Sequence, residues 1–221
     1  MIVVEGLDGA GKSTQVGLLK KYLTDKYGEI EYIHFPRYNS PVYGALISRF
    51  LSGEFGDNNA VHPRLVALLY AEDRHNAATE IKKSLEDGKV VLLDRYVYSN
   101  IAYQCAKLGD DAAKRELADW IFKTEYIDFA IPRPDKNLFL DVPITFVKRQ
   151  LESHREGLDK DYLSSGARDI HEENIAFQEA VREEYLKRCA EDPTFTRVDC
   201  SDENGNMLAA DLIFKRIVAA L

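Results

Sequence analysis

Cysteine is scarce: Cys105, Cys189 and Cys200 are the only three in 221 residues. Their odd number and wide spacing fit neither a disulfide framework nor a C-x-x-C zinc site. The five histidines do not fall at ligand spacing with them. Cys105 itself reads as a small buried hydrophobe. No apolar run approaches the roughly 18 residues of a membrane span. The chain opens directly on a strand pattern, so no signal peptide is expected and a reducing, cytoplasmic home is. Positive charge is not in excess either. The net charge of −8 argues against non-specific binding to nucleic acid or to membranes. Repeats and low-complexity tracts are absent, and so is a guanine-reading N-K-x-D. What remains, 45% hydrophobic and 30% charged, suits a single globular domain over residues 1–221.

Against these absences one stretch stands out. Gly6-Leu7-Asp8-Gly9-Ala10-Gly11-Lys12-Ser13 matches G-x-x-x-x-G-K-[ST] without a mismatch. Met1–Glu5 before it reads as a short buried strand, and Ser13-Thr14-Gln15-Val16 after it opens a helix. The glycines let the backbone wrap an anion without Cβ clashes. The loop N–H groups and the helix N-terminus then point at phosphate oxygens. Lys12 reaches the β- and γ-phosphates in such a loop, and the Ser13 hydroxyl ligates Mg²⁺. The stretch from Gly6 to Thr14 is therefore expected to hold a nucleoside triphosphate.

Strand and helix patterns alternate along the rest of the chain. Helix is expected to Tyr27, strand over Ile30–Phe35, helix over Val42–Leu51 and a long helix over about His62–Glu86. Lys89–Asp94 has four consecutive apolar residues, the mark of a strand buried on both faces. Helices follow over Asn100–Lys107 and Ala112–Lys123, then a strand over Leu138–Val142. A helix starting at Pro143 carries Phe146, Val147 and Leu151. Residues 152–168 are dense in charge and glycine and are expected to be mobile. Helical periodicity returns over 169–191, with a last strand over Thr194–Val198 and a last helix over Met207–Leu221. The class is α/β with a parallel sheet, whose ligands sit beyond the carboxyl ends of the strands.

Further candidates fall at those ends. Asp94 closes the third strand, where a Mg²⁺ shell needs a carboxylate; a turn cap is the alternative. Arg95 beside it suits a phosphate or a structural ion pair. Arg37 follows the second strand. Tyr70 and Arg74 are four apart on the long helix and share a face, able to stack a base and pair with a carbonyl or phosphate, although Tyr70 alone also suits a core. Asn100, Tyr103 and Gln104 share another face, where an amide offers both donor and acceptor to a base edge. One phosphate cluster at Gly6–Ser13 and another at Arg37, Arg74 and Arg95 imply phosphoryl transfer between two nucleotides. The stretch 152–168 would then close over them, with Arg149, His154, Arg155 and Lys160 as the basic residues able to reach over the phosphates.

Five segments together resemble the thymidylate kinase family of P-loop nucleoside monophosphate kinases: EGLDGAGKSTQ (5–15), FPRY (35–38), LLYAEDR (68–74), DRYVYSNIAYQ (94–104) and PDKNLFLDV (134–142). The resemblance implies a P-loop NTPase fold with a five-stranded parallel sheet, helices on both faces and a short lid. It also implies a homodimer and transfer from ATP to dTMP in dTTP synthesis. Asp8 would approach the sugar 3′-hydroxyl and the Mg²⁺ and arginine network. Phe35 and Tyr70 would pack on thymine, with Tyr70 where the family usually has Phe. Arg37 and Arg95 would hold the dTMP phosphate, Arg74 and Asn100 would read the base, and Tyr103 would sit under the deoxyribose. Gln104 is a further base contact, and Arg149 matches a basic residue flanking the ATP adenine. Some members carry a catalytic arginine inside the P-loop. Here that position is Ala10, so the lid must supply the cation, and Arg155 is its candidate. The alternatives are a kinase for another monophosphate, or a P-loop regulatory ATPase.

Overall fold

The computed structural model describes residues 1–155 and 174–221. Strands β1 (Ile2–Gly6), β2 (Ile30–His34), β3 (Val90–Asp94), β4 (Lys136–Asp141) and β5 (Phe195–Asp199) form one parallel sheet in the order β2-β3-β1-β4-β5. Val3, Val4, Val91, Leu92, Leu93, Leu138 and Phe139 have no exposed surface, as expected of parallel strands covered on both faces. The register sets Val4 opposite both Asp94 and Leu138, and His34 opposite Asp94. The carboxyl ends of β1, β2 and β3 therefore finish together.

Helix α1 (Lys12–Tyr27) packs with α8 (Ala210–Ala220) on one side of the sheet. Helices α3 (Pro63–Glu86), α4 (Val97–Cys105) and α7 (Ile175–Glu191) cover the other. Helix α2 (Tyr43–Leu51) leans on α3, with Ile47, Phe50, Leu51 and Val66 as a small separate core. Helix α5 (Asp111–Lys123) packs on α4, and α6 (Ile144–Arg155) follows β4. The expected five-stranded α/β architecture is the observed one.

Several boundaries moved, each for a tertiary reason. Helix α4 begins at Val97, not Asn100, because the buried Glu5 carboxylate accepts from Tyr96 N at 2.9 Å and Ser99 N at 3.2 Å. A carboxylate at a helix N-terminus satisfies orphan donors and complements the dipole. Strand β4 starts two residues early because its first residues pair with β1 and Asn137 N donates to Thr194 O. Helix α5 runs into a π-helical turn, Thr124–Asp128, that the periodicity did not show. Helix α8 starts at Ala210 because residues 201 and 207 are bridged in the loop before it.

The stretch 152–168, expected to be mobile, starts as helix. Helix α6 continues to Arg155, with Val147 and Leu151 buried and Glu152 and Ser153 exposed. Its remaining residues, and the start of the helix expected from 169, lie outside the described residues. Helix α7 is described from Ile175, and Asn174 caps it by accepting from Ala176 N and Phe177 N.

Candidate active site

The loop between β1 and α1 turns on Gly9 and Gly11, both at φ 71, a left-handed conformation that glycine adopts without penalty. The loop is closely packed at Gly6 and Gly9. A Cβ on Gly6 would meet the Lys12 stem at 3.2 Å, and one on Gly9 would meet Gln150 and Leu151 of α6 at 3.3 Å. Ala10 is buried, whereas Ser13 and Thr14 are exposed at the start of α1. Burial, then the charge of Arg95, holds the Lys12 ammonium below its ordinary range; Asp94 and Asp8 pull it back up.

Asp94 ends β3 beside this lysine. Burial alone would raise its pKa, but the charge of Lys12 and the contact with His34 bring it down to about 2. His34 Nδ1 lies 3.2 Å from Asp94 Oδ2. Asp94 Oδ1 is buried with no hydrogen-bond partner among the described residues. A hard cation such as Mg²⁺ takes one or two carboxylates, and substrate phosphates and water complete its shell. The orphaned Asp94 oxygen and the accessible Ser13 hydroxyl are a donor set of that kind. Among the described residues no group of three His, Cys, Asp or Glu side chains is placed to hold a metal.

A cavity opens beside the loop. It is lined by Asp8, Phe35, Tyr70, Arg74, Arg95, Asn100, Tyr103 and Gln104, all expected acceptor residues, and by Pro36, Tyr38, Leu51 and Ser99. Arg37 is not among the lining residues. Its Nε donates to Asp73 Oδ1 at 3.0 Å and its Nη2 to Asp73 O at 2.8 Å, and its backbone N donates to Asp73 Oδ2 at 2.8 Å. Asp73 is buried, so it ties the turn after β2 to helix α3. Arg149 is exposed on α6, with its Nε 3.4 Å from Thr145 O. The side chains of His154 and Arg155, and Lys160 altogether, lie outside the described residues.

The cavity's polar residues are locked by partners that no motif revealed. Arg74 donates from Nε and Nη2 to both oxygens of Glu125, at 2.5 and 2.7 Å. Glu125 comes from the π-helical turn and is fully buried. Asn100 Nδ2 donates to Glu125 Oε1 at 2.9 Å and to Ala67 O at 3.0 Å. Two acceptors fix which end of that amide is nitrogen. Asn100 Oδ1 and Gln104 Oε1 are buried and accept no hydrogen bond from the described residues.

Arg95 sits at φ 68, a backbone strain of about 1–3 kcal/mol that surrounding contacts must hold. Its backbone N donates to Val4 O at 2.9 Å. Its guanidinium donates to Asp8 Oδ1 at 2.6 Å and to Ser99 Oγ at 3.2 Å, and lies 5.3 Å from the Tyr103 ring centroid. Ser99 Oγ in turn donates to Glu5 Oε2, which also accepts from Tyr185 OH at 3.1 Å. Burial raises the Glu5 carboxyl above its usual range, and these donors oppose the rise. Glu5 and Asp73 lay inside recognisable segments, whereas Glu125 and Gln178, which meets Asp8, lay in none.

A family model described as thymidylate kinase matches residues 4–209. The thymidylate kinase of Leifsonia xyli subsp. xyli is 36% identical over 202 residues, covering 90% of this chain and 86% of that protein. That of Mycobacterium tuberculosis is 32% identical over 191 residues, covering 86% of each. The solved structure of the Candida albicans thymidylate kinase superposes with a TM-score of 0.69 at 28% identity, over 99% of this chain and 88% of that one. The Ehrlichia chaffeensis structure, at 21% identity and a TM-score of 0.65, over 99% of this chain and 96% of that one, supports the fold. With a phosphate loop and a lined cavity at the carboxyl ends of its strands and these likenesses along nearly its whole length, the chain belongs to the thymidylate kinase family.

Proposed function

We propose that the chain transfers the γ-phosphoryl group of ATP to dTMP, giving ADP and dTDP. The observation that carries the acceptor is the pair of orphaned amide oxygens, Asn100 Oδ1 and Gln104 Oε1, in the wall that also holds Arg74. Thymine presents an N3–H donor beside an O4 acceptor. Amide oxygens suit the first and a guanidinium the second. Cytosine presents an acceptor and an amino group there and leaves both unsatisfied, which is costly in a buried site. Phe35 and Tyr70 supply apolar faces for the ring, and Tyr103 occupies the place of a 2′-hydroxyl.

At the donor side the loop from Gly6 to Thr14 holds the triphosphate, and Lys12 balances charge that builds on the transferring group. Ser13 and Asp94 would hold Mg²⁺, which neutralises phosphate charge when bound. Asp8 and Arg95 stand between the two substrates, with Arg95 toward the acceptor phosphate. Arg37 reaches that phosphate only by exchanging or sharing its contact with Asp73. Arg149 serves the adenine, and Arg155 supplies the further cation that Ala10 does not. One domain over residues 1–221 is enough for this chemistry.

We further propose a homodimer, supported by Leu65 on α3 and Ile127 in the π-helical turn, 62% and 64% exposed, and a cytoplasmic location. Among the described residues no helix is long and apolar enough to cross a membrane.

ADP release measured against dTMP, dUMP, UMP, CMP and dGMP tests the reading. The Candida albicans enzyme is described as having broad substrate specificity, which makes another monophosphate the second reading. A clear preference for dTMP is expected. Equal turnover on all five, or hydrolysis indifferent to any acceptor, would overturn it.

A further inference from the structure

Gln178 lies on α7 and is fully buried. It reaches the phosphate loop across a separation of 170 residues. Its Nε2 donates to Asp8 Oδ2 at 3.1 Å, and its Oε1 accepts from Asp8 N at 3.3 Å. The other Asp8 oxygen, Oδ1, takes Arg95 Nη2 at 2.6 Å. The Asp8 carboxylate is therefore stretched between an amide on one side and a guanidinium on the other. An amide side chain meets both demands at once, whereas a carboxylate cannot donate to Asp8 and an ammonium cannot accept from its N–H.

Lys12 lies four residues on in the same loop and offers Asp8 a second cation. A direct pair between Asp8 and Lys12 would draw the cation away from donor phosphates and the carboxylate away from Arg95. We propose that Gln178 is a positioning residue that holds Asp8 toward Arg95 and leaves Lys12 for the phosphates. This rests on the reading of the neighbouring cavity as the acceptor site. Gln178 touches neither substrate in this account; it acts through Asp8.

Gln178→Met keeps the buried volume and loses the two hydrogen bonds to Asp8. Gln178→Glu keeps the shape and sets a second carboxylate against the first. Steady-state kcat and KM for dTMP and for ATP are measured for both, for Asp8→Ala and for the Gln178→Met/Asp8→Ala double variant, with circular dichroism melts on each. Gln178→Met is expected to lower kcat about 10- to 100-fold, with a smaller change in either KM. Gln178→Glu is expected to lower it at least as far. The double variant should be no slower than Asp8→Ala alone, because both changes act through one carboxylate. A Gln178→Met enzyme within about twofold of the parent kcat, or losses that multiply in the double variant, would overturn the proposal. Loss of the fold in both Gln178 variants would assign the residue to stability and overturn it too. Turnover of dTMP by the parent enzyme is the separate check on the acceptor reading, so the two failures are distinguishable.

Discussion

Arg74 and Glu125 are 2% and 0% exposed and joined by two hydrogen bonds. Breaking such a pair leaves a charge stranded out of water. Glu125→Ala is expected to cost about 3–5 kcal/mol of stability by denaturant unfolding, and to raise KM for dTMP because Asn100 loses a partner as well; a change near zero in both would contradict the account. Lys12→Ala is expected to lower kcat about 100-fold or more, and near-normal turnover would remove Lys12 from its role. Lys107 makes a third case outside the chemistry. Its Nζ lies 4.9 Å from the Phe50 ring centroid and has no hydrogen-bond partner among the described residues. Burial pushes it down to about 7, whereas an unfolded lysine titrates near about 10. Between those values the unfolded chain holds a proton the folded chain has released, so stability rises with pH across the window. Unfolding measured at both ends should show that rise in the parent and lose it in Lys107→Met. Equal pH dependence in the two proteins would contradict it.

At the scale of elements, the turn after β2 and helix α2 meet at Gly44. A Cβ there would come within 2.4 Å of Tyr38 O and 2.5 Å of Arg37 O, so neither backbone can stay in place. Gly44→Ala is expected to cost about 1–3 kcal/mol and to raise KM for dTMP, since Phe35, Pro36 and Tyr38 line the cavity; thermal melts and acceptor titrations check both. Sequence periodicity located every strand and nearly every helix because those signals are local. Val90–Leu93 announced a strand buried on both faces, and Phe177, Val181 and Tyr185 a helix face. The start of α4 was not legible, because the group that caps it, Glu5, is more than 90 residues away in the chain. The π-helical turn escaped because it interrupts the period that would reveal it. The last turn of α6, residues 152–155, was expected to be mobile because charge density alone does not distinguish the end of a helix from a mobile segment.

At the scale of the whole molecule, the phosphate loop and the strand-end residues were legible because each motif carries its own geometry. Their fixings were not. Glu125 and Gln178 reach the site from distant segments, and the Arg37–Asp73 contact joins a turn to a helix. The fold thus brings short, readable segments to one edge of the sheet and then locks them with one another, as Asp73 does Arg37, and with residues outside them, Glu125 and Gln178. Among the described residues that edge carries two unsatisfied amide oxygens, Asn100 Oδ1 and Gln104 Oε1. In the proposed reaction Asn100, Gln104 and Arg74 recognise N3–H and O4 of thymine. The most direct test compares kcat/KM for dTMP and for 5-methyl-dCMP, which keep the same methyl group and sugar and differ at that edge alone. A preference for dTMP of about 1,000-fold or more is expected, and comparable values for the two would rule that recognition out.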